Sequence, residues 1–159
     1  MFPSDQRKPF IYPIRGEVLT GFREEYLDAK KSAALRHTGI DLEGKPGDKV
    51  SASANGIVSY TGFSSTGGLT ISISHNSRIR TTYLNLAGIY VNKGDIVRQG
   101  DVIAYLGADD DISSEICHLH FAVIYKNTYL DPLQLLEMDY TNISMFLRLS
   151  YMGRDQSIY

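Results

Sequence analysis

Lys45-Pro46-Gly47-Asp48-Lys49-Val50 and Asn92-Lys93-Gly94-Asp95-Ile96-Val97 are two copies of one pattern. In each copy Gly-Asp supplies a turn and the valine belongs to the strand that follows. Each then passes through a small-residue turn into a second strand, Asn55-Gly56-Ile57-Val58 after the first copy and Gln99-Gly100-Asp101-Val102-Ile103-Ala104 after the second. A strand-turn-strand unit of this size buries too little surface to fold alone, so the two copies are expected to pack on each other. The reading is an all-β domain of two packed antiparallel sheets, or a flattened barrel-sandwich, built on a duplicated motif with few short helices.

The rest of the chain agrees. Leu69 to Ser74 alternates with period two, which marks a strand with one buried face. Gly56 to Tyr60, Thr81 to Leu84 and Leu119 to Ile124 are rich in β-branched and aromatic residues. Glu24 to Leu35 carries helix-favouring residues at irregular apolar spacing and is expected to be a loop insertion or a short helix. Pro132 to Met138 is expected to form a short helix, because proline suits a first helical turn. Met145, Phe146, Leu149 and Met152 give a weak helical stripe. The expected organisation is an extended arm over residues 1–11, the β domain over 12–138, and a tail over 139–159.

Composition narrows the function classes. The 159 residues carry 16 Lys and Arg against 18 Asp and Glu, a net charge of −2, so nothing marks an electrostatic footprint for nucleic acid. No run approaches the roughly 18 apolar residues of a membrane-spanning helix. No phosphate-cradling glycine loop opens a helix. Cys117 is the single cysteine, so an intramolecular disulfide is excluded. MFPSDQRKPF lacks the apolar core of a signal peptide.

Two segments concentrate metal-ligating side chains, Arg36-His37-Thr38-Gly39-Ile40-Asp41-Leu42 and Cys117-His118-Leu119-His120-Phe121. On a strand, His118 and His120 point to one face. His37 and Asp41, four apart in an extended stretch with Gly39 between them, do the same. Imidazoles with a carboxylate suit zinc, and three protein ligands leave one position for water, the arrangement of catalytic sites.

His37-Thr38-Gly39-Ile40-Asp41, followed by Pro46-Gly47-Asp48, Val50, Ala52, Ala54, Gly56 and Val58, resembles the first motif of the lysostaphin/LytM-type zinc peptidases, family M23. His118-Leu119-His120-Phe121 resembles their closing His-x-His motif. Gly94, Val97, Gly100, Ile103 and Gly107 fit their second glycine-rich repeat, and Tyr129-Leu130-Asp131-Pro132-Leu133 their usual domain end. The resemblance runs from about Ile14 to Leu136. It implies His37, Asp41 and His120 as ligands of a Zn2+ ion and His118 as a catalytic histidine. It also implies peptidoglycan peptide stems or cross-bridges as substrate and the bacterial envelope, periplasmic or extracellular, as location.

One position departs from the pattern. The family usually carries Tyr-x-His-Leu with a catalytic histidine, where this chain has Tyr83-Leu84-Asn85-Leu86. Asn85 cannot act as a general base, although its carboxamide can donate a hydrogen bond. The resemblance therefore implies either a slow or altered endopeptidase, or a zinc-bearing non-catalytic scaffold or activator with an envelope protein as partner. Biotinyl and lipoyl carriers are set aside because no Met-Lys-Met occurs. A phosphotransferase carrier is set aside because His37 precedes the Val50-Ser51-Ala52 stretch instead of following it.

Overall fold

The computed structural model describes residues 8–22, 25–28, 33–36, 38–65, 68–76, 78–107 and 117–147, with backbone only for 25–28 and 33–36. Its strands are β1 (Val18–Thr20), β2 (Glu25–Asp28), β3 (Ala33–Arg36), β4 (Ile40–Glu43), β5 (Lys49–Ser51), β6 (Gly56–Ser64), β7 (Gly68–Ser74), β8 (Ile79–Leu86), β9 (Gly88–Ile89), β10 (Ile96–Val97), β11 (Val102–Tyr105), β12 (His118–Tyr125) and β13 (Thr128–Leu130). Helix α1 spans Pro132–Leu136.

The main sheet runs β1-β4-β12-β8-β7-β6-β10 with β13 added on β12, and a smaller sheet runs β5-β11-β9. Every pairing is antiparallel. The two-sheet, all-β expectation therefore holds, in its open form and not as a closed barrel.

The repeat explains the link between the sheets. Its two copies exchange strands: β5 of the first pairs with β11 of the second, and β10 of the second pairs with β6 of the first. The turns are built alike. Lys45 N–H donates to Asp48 Oδ2 at 2.8 Å, and Asn92 N–H donates to Asp95 Oδ2 at 2.8 Å. Gly47 and Gly94 sit at φ 88° and 96°, a left-handed conformation that disfavours a side chain. Gly47 N–H and Leu106 N–H exchange bonds with Leu106 O and Asp48 O, while Gly94 N–H and Val58 N–H do the same with Val58 O and Asp95 O. The turn of each copy is thus held by a strand of the other, which is why neither is expected to fold alone.

The core lies between the sheets. Ile40, Leu42, Ile71, Ile73, Tyr83, Leu119 and Phe121 pack with Val50 and Ile103 from the smaller sheet, all essentially inaccessible. Phe10 is also fully buried, and Ile11 N–H donates to Ser53 O. At the other end Pro132 opens α1, the short helix expected from sequence, and the Asp131 carboxylate caps it by accepting from Leu133 N–H at 3.0 Å. Residues 143–147 are helical, with Ile143 and Leu147 buried, Met145 67% exposed, and Leu149 and Met152 outside the described residues.

Glu24 to Leu35 differs from expectation. β2 and β3 pair from Glu25↔Arg36 to Asp28↔Ala33 as a two-stranded hairpin. Helix-favouring residues in so short a segment are too weak to hold an isolated helix, and cross-strand pairing prevails.

His75 is part-buried beside the core, apart from Asp41 and His120. Its Nδ1 lies 2.7 Å from Asn55 O and its Nε2 2.8 Å from Thr81 Oγ1; Thr81 Oγ1 is 2.7 Å from Tyr83 Oη, which accepts from Ser53 N–H at 2.9 Å. One assignment satisfies every partner. Tyr83 donates to Thr81, Thr81 to Nε2, and Nδ1–H to Asn55 O, so the imidazole is neutral. Burial pushes the His75 pKa down to about 4 and the Tyr83 pKa up to about 12. The edge of Phe10 closes over the imidazole at 5.5 Å.

The folded-state pKa of His75 lies below its unfolded value of about 6.5, so the unfolded chain binds the extra proton as pH falls. Stability is full above about 6.5 and is lost progressively down to about 4. The total is about 3 kcal/mol at 1.36 kcal/mol per pKa unit. Urea unfolding of metal-free protein across this window is expected to show that slope, and His75→Gln is expected to flatten it.

Candidate metal centre

The site forms where β4 lies against the start of β12. Leu119 and Phe121 point into the core and are fully buried, which turns His118 and His120 to the outer face. The β4–β12 register sets Asp41 directly opposite His120. The Asp41 Oδ1 to His120 Nδ1 distance is 2.9 Å, and His118 Nε2 stands 4.0 Å from the same oxygen. These side chains are 18%, 19% and 29% exposed, respectively, so the pair is screened from bulk water but reachable.

Gly39 permits this approach. A Cβ at that position would lie 2.4 Å from Phe121 O and 2.9 Å from His120 Nε2. The absence of a side chain thus lets the strand entry close over the imidazole, while Nδ1 faces Asp41.

His37, the third ligand implied by the resemblance, lies outside the described residues. Among the described residues no cluster of three His, Cys, Asp or Glu side chains is arranged to hold a metal. The donor pair that is described does fit zinc. An imidazole and a carboxylate on one face are donor types that zinc takes, and here the two meet directly at 2.9 Å.

Asn85 shows a feature that the sequence reading missed. On β8, Ile79, Thr81 and Tyr83 point inward, so alternation would bury Asn85 as well. Instead Leu69 pairs with Leu86 and Ile71 with Tyr83, leaving one residue of β7 opposite two of β8. This bulge, with Asn85 at φ 70°, turns its side chain out to the face of His118. Asn85 Nδ2–H donates to His118 O at 2.9 Å. The available signal was the residue type, because asparagine tolerates left-handed backbone better than most residues.

Other candidates are placed as follows. Cys117 is half-buried, with its Sγ 3.7 Å from Gly107 O, and packs against the core. Tyr83 is a core residue tilted against Phe121. The side chain of Arg36 and the whole of Ala108–Glu115, including Asp109, Asp110 and Asp111, fall outside the described residues. So do Thr66 and Gly67 between β6 and β7, while Phe63 on β6 is 79% exposed.

The sequence profile of Peptidase family M23 matches residues 35–132, more than half of the chain and both halves of this site. The chain belongs to peptidase family M23. Peptidoglycan DD-endopeptidase ShyB of Vibrio cholerae is 30% identical over 118 residues, covering 74% of this chain and 27% of that protein. A zinc-containing peptidase from Vibrio cholerae superposes with a TM-score of 0.69 at 29% identity, covering 83% of this chain and 40% of the other. The catalytic domain of lysostaphin from Staphylococcus simulans superposes with a TM-score of 0.66 at 26% identity, covering 77% and 93%. The chain spans between 27% and 50% of the length of the first curated relatives it matches.

Proposed function

We propose that this M23 domain is a zinc-dependent endopeptidase that hydrolyses amide bonds of peptidoglycan peptides in a bacterial cell envelope. The observation that carries the reading is the 2.9 Å approach of Asp41 Oδ1 to His120 Nδ1 across the β4–β12 register. In it, His37, Asp41 and His120 hold the ion, which when bound supplies Lewis-acid polarisation of the scissile carbonyl. His118 works beside them on the same face, taking a proton at Nε2 from the attacking water and returning it to the leaving amine. Leu119 and Phe121, locked in the core, fix the strand that carries both imidazoles. Asn85 makes turnover slow, because a carboxamide cannot take the proton-transfer role of the histidine usual at its place.

The test joins metal analysis with cleavage. Protein purified without chelator is expected to hold one zinc per chain and to release new amino termini from mixed peptidoglycans, with release stopped by chelator. Metal-free protein from such a preparation would overturn the reading.

The Asn85 amide favours a second reading. Its donor is engaged by the His118 backbone, and a scaffold needs no proton transfer. In this reading the domain binds an envelope protein or cell-wall fragment without turnover, with the tail from Asp139 onward as the docking element. Turnover that disappears in His118→Ala would defeat it.

A further inference from the structure

The face that carries Asp41, His118 and His120 continues along the sheet. β12 alternates without a break, so His118, His120, Ala122 and Ile124 share that face. In the β8 register His120 stands opposite Leu84, Ala122 opposite Thr82, and Ile124 opposite Arg80; Arg80 in turn pairs with Ser74. At about 3.3 Å per residue, the Ile124–Arg80 row lies about 13 Å from the His120 row. Between them the sheet carries small side chains, the part-exposed Thr82 and Ser72, with their hydroxyls 3.3 Å apart, beside Ala122, which is buried.

At the far row the sheet opens into a cleft of about 140 Å³ bordered by Arg78, Arg80 and Lys126 together with Asn76, Asn127 and Ser74. Two turns set this border. Asn76 Oδ1 accepts from the N–H groups of Arg78 and Ile79 at 2.8 and 3.0 Å. Lys126 and Asn127 form a left-handed hairpin turn at φ 48° and 64°, and Lys126 N–H donates to Arg78 O at 2.8 Å. Two arginines therefore border one concavity in a chain whose net charge is −2, with Lys126 beside them and its Nζ 5.5 Å from the centroid of the Tyr125 ring. No carboxylate among the described residues lines it.

We propose that this cleft is a subsite for a free carboxylate of the substrate, on an extended peptide lying along the outer face of the main sheet. The guanidinium forks of Arg78 and Arg80 match a carboxylate. The 13 Å span corresponds to about four extended residues between that carboxylate and the hydrolysed bond. The cleft volume admits one charged group with a few waters, at about 30 Å³ per water. The inference rests on the peptidase reading for its substrate, but its test is equilibrium binding and needs no turnover.

Cross-linked muropeptides would be compared with the same muropeptides after carbodiimide amidation. Binding is measured by calorimetry to the zinc-free protein, and cleavage separately to the zinc-loaded protein. The acidic form is expected to bind about tenfold more tightly, the scale of one charge-assisted hydrogen bond, and to lose that advantage in raised salt. Arg80→Gln is expected to remove the preference while leaving affinity for the amidated form and the melting temperature unchanged. Preference without cleavage would sustain the subsite and reject the peptidase reading. Cleavage with equal binding of the two forms would overturn the subsite and keep the peptidase. Binding of inorganic phosphate at Arg80 with no preference between the muropeptides would also overturn it.

Discussion

Asp41→Ala is expected to abolish zinc binding and peptidoglycan cleavage together while leaving the metal-free fold in place. Asp41 sits on β4 between Ile40 and Leu42, both fully buried, and those two neighbours, not the carboxylate, anchor the strand. Its contacts with His120 at 2.9 Å and His118 at 4.0 Å are partly exposed and together worth about 1 kcal/mol. Metal-free wild type and variant should therefore melt within a few degrees of each other. With zinc the outcomes separate. An ion present at 1,000 times its Kd stabilises the wild type by about 4 kcal/mol, and this gain should vanish in the variant. Turnover should fall by about 10³-fold or more, since a ligand and the carbonyl polarisation it supports go together. Calorimetric melting with and without zinc checks both parts. A variant that unfolds without metal would show that Asp41 serves the fold instead, and a variant that keeps its zinc shift would remove Asp41 from the ligand set.

Much of this was legible in the sequence, for identifiable reasons. The Gly-Asp turns are local chemistry: a left-handed glycine followed by an aspartate whose carboxylate returns to the backbone three residues earlier. Such turns announce their strands wherever they occur. His118 and His120 were legible because side chains alternate along an unbulged strand, and Leu119 and Phe121 mark the opposite face. What was not legible depended on pairing and packing between segments. That β5 pairs with β11, and β10 with β6, follows from packing and not from either copy alone. The neutral state of His75 depends on Asn55, Thr81 and Tyr83 meeting in the core. The hairpin of β2 and β3 prevailed over residues whose own preference is helical. The bulge at Asn85 is a mismatch between β7 and β8, so neither strand shows it by itself.

That bulge decides what substitutions at Asn85 are expected to do. Three consequences of the residue are separable: its left-handed backbone, its amide tie to His118 O, and its lack of a proton-transfer group. Asn85→Gly keeps the backbone conformation without strain and removes the tie. It should melt close to the wild type yet lower kcat, because the His118 segment loses its fastening. Asn85→Ala adds about 1–2 kcal/mol of left-handed strain to the same loss and should melt lower. Asn85→His keeps a residue type tolerated at positive φ and places an imidazole beside His118. Since one missing transition-state donor costs about 10²–10³ in rate, this substitution is expected to raise kcat by about 10²-fold with little change in KM, the signature of an interaction made only in the transition state. Steady-state kinetics on one muropeptide, with melting temperatures alongside, separates the three effects. A gain in Asn85→His with a loss in Asn85→Gly would mean that the native amide is a positioning group in a slowed enzyme. No gain in Asn85→His, with Asn85→Gly unchanged in rate, would mean that neither group reaches the reacting atoms, whereas no turnover in the wild type or in Asn85→His would leave the scaffold reading to account for an asparagine turned outward by a bulge.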